Sequence, residues 1–462
     1  MIKSLSCVGY RSFSTKQKLD LAMPNGKLGS GLTVLVGPNG GGKSTLVECF
    51  NKISSAKRNV SFSRGRRNLS AGDKVIIEVD CDGVSHTLQT IKGGSETSWD
   101  GEDPPKIYYL PSRRFFSPYF SSSKWNRETY LKNQPILQFR SNSLDSYTSR
   151  LIEWNKSESK VFDEMLSRII GKKLEWTIDQ EDSGQYIVNF TRNNGLHHNS
   201  DGMGEGIISL MFIVDALCGS TEEVVVIDEP ELSLHPQLQI RLMKEILEKT
   251  KDSQVVISTH NPNMLSLESI INGGVVARVF DSGKGAEVKT IDERSRKFID
   301  SISRDKNNPH IMGIDARSCF FAEDCLIITE GQEDVILYPV ILDALGFSTT
   351  LPFFGFGAGG ASGIKEVAHL LYRLGFKKVG AIYDGDKKKE FEAFKKEYDA
   401  IGYKSWIIPA DDIRDKEKYE APSKIGLLEK DRKTLKTEYV EGLKGMFEEI
   451  NKYLVQNAPE SL

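Results

Sequence analysis

An α/β protein built from two successive units, each with a mainly parallel sheet, is the fold class this chain predicts, and three stretches predict it. The first is an apolar strand, TVLV, that runs into GPNGGGKST and then into a helical pattern, LVECFNKI. The second is VVVIDEPELSLHP, an apolar strand that ends in adjacent carboxylates. The third is a pair, CLIITEGQED and KKVGAIYDGDKKKE, two further strands ending in acids and followed by helical patterns. Strands that alternate with helices form parallel sheets, because a parallel neighbour has to be reached by a crossover.

A chain of 462 residues exceeds one compact core, so two domains with an inserted third are expected. The composition, 39% hydrophobic and 27% charged, is that of a soluble protein, and no apolar run reaches the roughly 18 residues a membrane span needs. The opening MIKSLSCVGYRSF has neither a long apolar segment nor a cleavage site, which predicts a cytoplasmic protein rather than a secreted one. Six cysteines are scattered without a CxxC pair, which points to free, mostly buried thiols instead of disulfides or structural zinc. With a net charge of −3, contact with nucleic acid has to come from local patches, and Lys57, Arg58, Arg64, Arg66 and Arg67 form one.

Apolar alternation predicts strands at Ile2 to Val8, Leu32 to Val36 and Lys74 to Val79, with one early helix. From about residue 117 the chain turns polar and then helical, with Leu151, Ile152, Trp154, Phe162, Met165, Leu166 and Ile169 at three- and four-residue steps. Residues 117–195 are read as a helical insertion for dimerisation or partner contact. Strands resume at Val224 to Ile227, Val255 to Ile257, Leu326 to Thr329 and Val379 to Ile382. The polar segment Arg294 to Asn308 reads as a linker, giving domains at 1–310 and 318–462, the second with a helical tail.

GPNGGGKST fits G-x-x-x-x-G-K-[ST], with the strand before it and the helix after it that the motif requires. Its members Gly37, Asn39, Gly40, Gly42, Lys43, Ser44 and Thr45 are the expected ATP-binding residues. The glycines let backbone N–H groups surround phosphate, Lys43 neutralises the terminal phosphates, and the Ser44 hydroxyl suits Mg²⁺. At the end of VVVIDE, Asp228 suits the same Mg²⁺ and Glu229 can orient or deprotonate a water. VVISTHNP places His260 just past the next strand.

Order, spacing and the phrase DEPELSLHP resemble the RecF/SMC branch of ATP-binding cassette ATPases over roughly residues 1 to 280, and CVGYRSF resembles their opening strand. That resemblance implies an ATP site of Lys43, Ser44, Asp228, Glu229 and His260 in one subunit. It also implies that Ser200 and Gly202, in SDGMGEG, reach the nucleotide of a second subunit, so that the site is complete only in a homodimer or a larger oligomer. SDGMGEG departs from the LSGGQ signature of such proteins. No glutamine follows the third strand; the chain reads IYYLPSRRFF, where Arg113 and Arg114 either touch phosphate or nucleic acid beside Tyr108, Tyr109, Phe115 and Phe116, or form a solvated basic turn.

Near the C-terminus, Glu330, Gly331 and Asp334 follow one strand and Asp384 and Asp386 another. Carboxylates gathered at the ends of parallel strands make a site for a hard cation, Mg²⁺ or Mn²⁺, and a D-x-D step on an extended chain sends both acids to one side. Two such ions about 4 Å apart stabilise the attacking and leaving oxygens of a phosphodiester. E-G-x-x-D followed by D-x-D is similar to the Toprim domain of topoisomerases, DnaG-type primases and OLD (overcoming lysogenization defect) nucleases, over about residues 318 to 425. Asp411, Asp412 and Asp415 in DDIRDKE resemble a further acidic motif, with Arg414 where an acid is expected. Lys424 reads as an ordinary surface lysine, with stabilisation of transition-state charge as the alternative. FGFGAGG satisfies G-x-G-x-x-G through Gly355, Gly357 and Gly360, yet a glycine turn explains it better than a dinucleotide site.

The cassette-plus-Toprim combination resembles the OLD nucleases. It implies an ATP-binding and ATP-hydrolysing, metal-dependent endonuclease or nickase acting on nucleic acid, with DNA the expected substrate. It further implies a bacterial antiphage role, as effector of a multi-component system such as a retron, with protein or nucleic-acid partners. The competing reading is an ATP-dependent DNA-binding scaffold or repair ATPase with a degenerate second site. A topoisomerase would need a tyrosine in a DNA-gating domain, and a primase further polymerase elements.

Overall fold

The structure is a computed structural model, described here for residues 1–58, 60–91, 94–112, 159–180, 186–191, 197–199, 204–219, 224–304, 317, 320–321, 325–347, 351–355, 357–416 and 423–455. The chain begins with β1 (Ile2–Val8), β2 (Gln17–Asp20) and β3 (Leu32–Val36), then the helix α1 (Lys43–Ser54). There follow β4 (Ile76–Cys81), β5 (Val84–Thr90), β6 (Thr97–Asp100) and β7 (Ile107–Leu110). Next come α2 (Ser159–Ile170), β8 (Glu175–Gln180), β9 (Tyr186–Thr191), β10 (His197–Asn199), α3 (Glu205–Leu217) and β11 (Val224–Asp228). The first unit closes with α4 (Pro236–Lys249), β12 (Gln254–Ser258), α5 (Leu267–Asn272), β13 (Val275–Asp281), β14 (Ala286–Thr290) and α6 (Glu293–Arg304).

Two sheets sandwich α1. One is antiparallel, in the order β2-β1-β4-β5-β6. The other runs β14-β13-β3-β12-β11-β7, parallel except for its edge strand β14. β3, β11 and β12 are buried at every position, which is why they read as continuous apolar runs rather than alternations. One strand, β12, separates the glycine-loop strand β3 from the acidic strand β11, so the loop and the acids meet across its end.

Two sequence expectations change here. Within 117–195 the described part is one helix followed by the strands β8 and β9, which β10 just beyond completes as an antiparallel three-stranded sheet, so the insertion is not wholly helical. Residues 113–158 lie outside the described residues, as do Arg113, Arg114, Phe115 and Phe116. The linker expected from Arg294 onward is instead the helix α6: its polar composition hides an apolar stripe with Ile299 fully buried and Phe298 packed beside it, and Asp292 caps its start through the Ser295 N–H.

The second unit has β15 (Leu326–Ile328), α7 (Gln332–Ala344), α8 (Ala361–Arg373), β16 (Val379–Tyr383), α9 (Lys388–Tyr398) and β17 (Lys404–Ile407). It ends with β18 (Asp412–Arg414), β19 (Gly426–Leu428) and α10 (Val440–Val455), the expected helical tail. Its sheet is parallel, β15-β16-β17, and β18 pairs β19 in parallel. α7 continues through Pro339.

One hydrophobic core runs through both units, from Val34 and Ile257 to Val379 and Tyr383. Around it, Arg294 makes a two-pronged ion pair with Glu366 and reaches Glu397, while Asp292 binds His369 and Arg373. Arg278 is buried with its guanidinium 4.0 Å from the Phe376 ring and 4.7 Å from that of Phe280. Cys7, Cys49, Cys81, Cys218 and Cys325 are free thiols, and Cys319 is outside the described residues. Among the described residues no helix is long and apolar enough to cross a membrane.

Candidate functional sites: a nucleotide loop and a carboxylate cluster

The loop between β3 and α1 turns on glycines in left-handed conformations, Gly37, Gly40 and Gly42 at φ 132°, 73° and 106°. At Gly37 a β-carbon would lie 2.1 Å from the Val279 carbonyl oxygen, so only glycine lets the loop rest on β13. Asn39 and Gly40 are exposed at the loop tip, and Thr45 is buried in the first turn of α1. Lys43 is buried beneath the loop, where its Nζ donates to the Gly37 and Pro38 carbonyls at 2.9 Å each. Burial brings its pKa down to about 8, against the pull of Glu229, Asp228 and Glu231.

Asp228, at the tip of β11, accepts hydrogen bonds from the Ser258 and Ser44 hydroxyls. Burial raises its pKa, and those two hydroxyls oppose the shift. A carboxylate beside the Ser44 hydroxyl at the end of the glycine loop is the donor pair Mg²⁺ would require. Glu229 adopts φ 53°, a strained conformation for a residue with a side chain, and its N–H donates to Ser258 O at 2.9 Å. Its Oε2 accepts from the Ser112 hydroxyl at 3.0 Å, and its Oε1 lies 3.7 Å from His260 Nε2. Lys43, Ser44, Asp228, Glu229 and His260 therefore converge as expected, while Ser200 and Gly202 lie outside the described residues.

Sequence reasoning missed three residues here. Ser112 stands in the segment where no glutamine was found. Glu231 binds the loop that carries His260, accepting from Thr259 Oγ1 at 2.7 Å and from the His260 N–H at 3.0 Å. Gln239 accepts from Asn261 Nδ2 at 2.7 Å. The phrase DEPE contains Glu231, but nothing in the spacing says which loop its side chain meets.

The aromatic and basic candidates fare less well. The Tyr108 hydroxyl binds Asp215 on α3, and the half-buried Tyr109 packs against the core. Arg67 is inward, bound to Asp73 and to the Gly94 carbonyl. Lys57 pairs with Asp103 and Arg66 approaches Glu48, which among the described residues leaves Arg58 and Arg64 as the uncommitted part of that patch.

In the second unit Glu330 follows β15 and Asp384 follows β16, its parallel neighbour, so both acids stand at the same sheet edge. Glu330 Oε1 accepts the Asp384 N–H at 3.1 Å, and Asp334 Oδ2 accepts the Gly331 N–H at 2.9 Å. Asp384 is driven up to about 9 and Asp334 to about 7, first by burial and then by surrounding carboxylates that include Glu330 and Asp412. Glu330 is raised as well, chiefly by burial.

Asp386 behaves differently. The chain leaves β16 at Asp384 and turns through Gly385 and Asp386, so the backbone is not extended there, yet Asp386 stays near enough to the cluster to push Glu330 upward. Asp386 Oδ2 pairs with Lys424 at 2.8 Å and Lys387 at 3.1 Å; its pKa is lowered by these lysines, against its partial burial. Of the DDIRDKE acids, Asp412 enters the cluster almost fully buried, while Asp415 pairs with Lys436 and Arg414 with Glu333. Lys424, read from sequence as a surface lysine, bridges Asp386 and Asp412, the latter at 3.3 Å, and Lys416 holds Asp412 at 2.5 Å. The pairing of β18 with β19 brings Lys424 there, and that pairing has no local signature.

The described glycines of FGFGAGG lie over the acidic edge: just before this segment Phe353 bridges Ile327, and a β-carbon on Gly357 would lie 2.6 Å from the Gly331 backbone. Gly360 N–H donates to Glu330 O at 2.8 Å. Among the described residues no three His, Cys, Asp or Glu side chains stand ready-arranged around a metal ion. The donor chemistry still fits one, because a buried group of carboxylates raising one another's pKa is relieved by a divalent cation.

A family profile described as "AAA domain, putative AbiEii toxin, Type IV TA system" matches residues 32–266. Septu protein PtuA of Bacillus thuringiensis is 24% identical over 286 residues, covering 52% of this chain and 68% of that protein. Among solved structures, the SMC head domain from Thermotoga maritima superimposes with a TM-score of 0.38 at 13% identity, covering 63% of this chain and 99% of that one. An Smc head domain with an extended coiled coil, derived from Pyrococcus furiosus, gives 0.41 at 12% identity, covering 66% and 100%.

Proposed function

Since the chain belongs to this AAA-domain family, we propose that its ATPase unit governs a divalent-metal-dependent endonuclease or nickase housed in the C-terminal unit. ATP is held by the glycine loop, with Lys43 on its terminal phosphates and Ser44 and Asp228 on Mg²⁺. Glu229 orients the attacking water and His260 meets the γ-phosphate. A second copy of the chain closes the site with Ser200 and Gly202, giving a homodimer or a larger assembly.

The observation that carries the nuclease reading is the carboxylate cluster in which Asp334 of α7 and Asp412 of β18 join Glu330 and Asp384 at the ends of β15 and β16, with Asp384 at about 9 and Asp334 at about 7. Such an arrangement holds protons at neutral pH that a divalent cation would displace, and it matches the acidic order of a Toprim domain of the OLD type. A divalent ion there, Mg²⁺ or Mn²⁺, would polarise a phosphodiester and lower the pKa of bound water. The chain's own part is to fix the carboxylates on adjacent strands and to bring Lys424 beside Asp386 and Asp412, where its charge can offset that of the transition state.

The likeness to Septu protein PtuA and the family's description as a toxin of a toxin–antitoxin system support an effector role in bacterial antiphage defence, in the cytoplasm. Membership of a multi-component system such as a retron, with protein or nucleic-acid partners, belongs to the same proposal. The test is cleavage of supercoiled plasmid with Mg²⁺ or Mn²⁺, with and without ATP, comparing wild type with Asp384→Ala. Metal-dependent nicking that the variant loses is the expected result. The second reading, an ATP-dependent DNA-binding scaffold, draws on the lysines that already neutralise Asp386 and Asp412. ATP-dependent DNA retention without cleavage under any metal would select it.

A further inference from the structure

We propose that Glu231 is a positioning residue for ATP hydrolysis, holding His260 in register with Glu229; this rests on the roles proposed above for those two residues. Glu231 lies in the turn after β11, and its side chain reaches the neighbouring turn after β12. One oxygen, Oε1, accepts both the Thr259 hydroxyl at 2.7 Å and the His260 backbone N–H at 3.0 Å. The same Thr259 oxygen accepts the Asn261 N–H at 2.9 Å, so the carboxylate organises three consecutive residues of the histidine loop.

A second tie joins the same two loops. Gln239 accepts from Asn261 Nδ2 at 2.7 Å and Asn263 Nδ2 at 3.2 Å, and its Nε2 donates to Leu234 O at 2.9 Å. The Gln239 tie grips the far end of the histidine loop. Glu231 grips the residue whose ring stands 3.7 Å from Glu229 Oε1. Releasing that N–H lets the ring drift relative to Glu229, and misplacement of about 1 Å near a reacting centre can cost on the order of 10²-fold in rate. Among the described residues Glu231 Oε2 is buried without a hydrogen-bond partner. All the positioning is thus done by one acceptor oxygen, which a glutamine also supplies.

The test is steady-state ATP hydrolysis and fluorescent-nucleotide binding by Glu231→Ala, Glu231→Gln, His260→Ala and the Glu231→Ala/His260→Ala double variant. Glu231→Ala is expected to lose roughly 10- to 100-fold in kcat with KM within about threefold of wild type. Glu231→Gln keeps most of the turnover. The double variant is no slower than His260→Ala, because both changes remove the same contribution. Thr259→Val, which removes one of the two donors and leaves the carboxylate in place, gives an intermediate loss and serves if Glu231→Ala is not recovered folded. Wild-type turnover in Glu231→Ala, equal damage in Glu231→Gln, or single losses that multiply in the double variant would each overturn the proposal. Wild-type protein without turnover would instead overturn the ATPase reading beneath it.

Discussion

Asp228 and Glu229 at the end of β11, and Glu330 and Asp384 at the ends of β15 and β16, occupy equivalent places on two parallel sheets, yet their surroundings differ. In the first site each acid has a donor: serine hydroxyls on Asp228, and on Glu229 the Ser112 hydroxyl with His260 nearby. In the second, Glu330 and Asp384 lie with Asp334 and Asp412, and their charges oppose one another. Hydrogen bonds to a carboxylate favour its charged form, whereas neighbouring carboxylates disfavour it. The contrast teaches that hydroxyl donors oppose the upward shift at Asp228 from within its own site, whereas the second cluster depends on something positive brought from outside it. Lys416 and Lys424 supply part of it, on Asp412 and Asp386.

The largest expected effect breaks the comparison at its first member. Glu229→Gln keeps the shape of the side chain and its contact with Ser112 but removes the base. ATP turnover should fall by about 10²- to 10³-fold, the range for loss of a positioned general base, while nucleotide affinity stays near wild type. Unchanged hydrolysis would take Glu229 out of its role. Divalent-ion binding at the second site should not move, since the two clusters share no residue.

Much of this contrast was legible before the coordinates. The glycine loop, β11 with its paired acids and the histidine after β12 could be placed because each is a local run: a buried strand, then the reactive residue at its tip. Glu330 and Asp384 were found in the same way. What escaped is non-local or masked by composition. Lys424 reaches the acids only through the β18–β19 pairing, and Ser112 and Glu231 matter through partners more than a hundred and nearly thirty residues away in sequence respectively. α6 reads as a linker because charged residues outnumber the half-buried Phe298 and the buried Ile299 that fix it. At Asp384 and Asp386 the chain turns where a D-x-D pattern suggests an extended backbone.

A smaller effect sharpens the electrostatics of the first site. Burial sets Lys43 at about 8, so in the free protein it is largely charged at pH 7 and largely neutral at pH 9. The triphosphate requires the charged form. ATP affinity should therefore fall as pH rises through about 8, approaching roughly tenfold per unit beyond it, with proton uptake on binding. Calorimetry in buffers of different ionisation enthalpy measures that uptake. A flat affinity between pH 7 and 9 would show that Lys43 does not lose its charge over that range, and only if Lys43→Ala also binds as well as wild type would it show that the lysine contributes no charge to binding.

The smallest effect belongs to the second site and is read as stability. Asp384 is raised from the ordinary aspartate value near 3.9 to about 9 in the folded chain. The folded state thus holds a proton that the unfolded chain has already released, so this group's contribution is fully present below about pH 4 and is lost progressively as pH rises through 9. Asp384→Asn keeps the shape and removes that dependence, and should melt a few degrees higher than wild type at pH 8 without divalent ions. Millimolar Mg²⁺ or Mn²⁺ should raise the wild-type melting temperature and leave the variant nearly unmoved. A wild-type Tm that is insensitive to metal, with Asp384→Asn no more stable, would show that Lys416 and Lys424 already balance the cluster, and would move the second unit toward the scaffold reading.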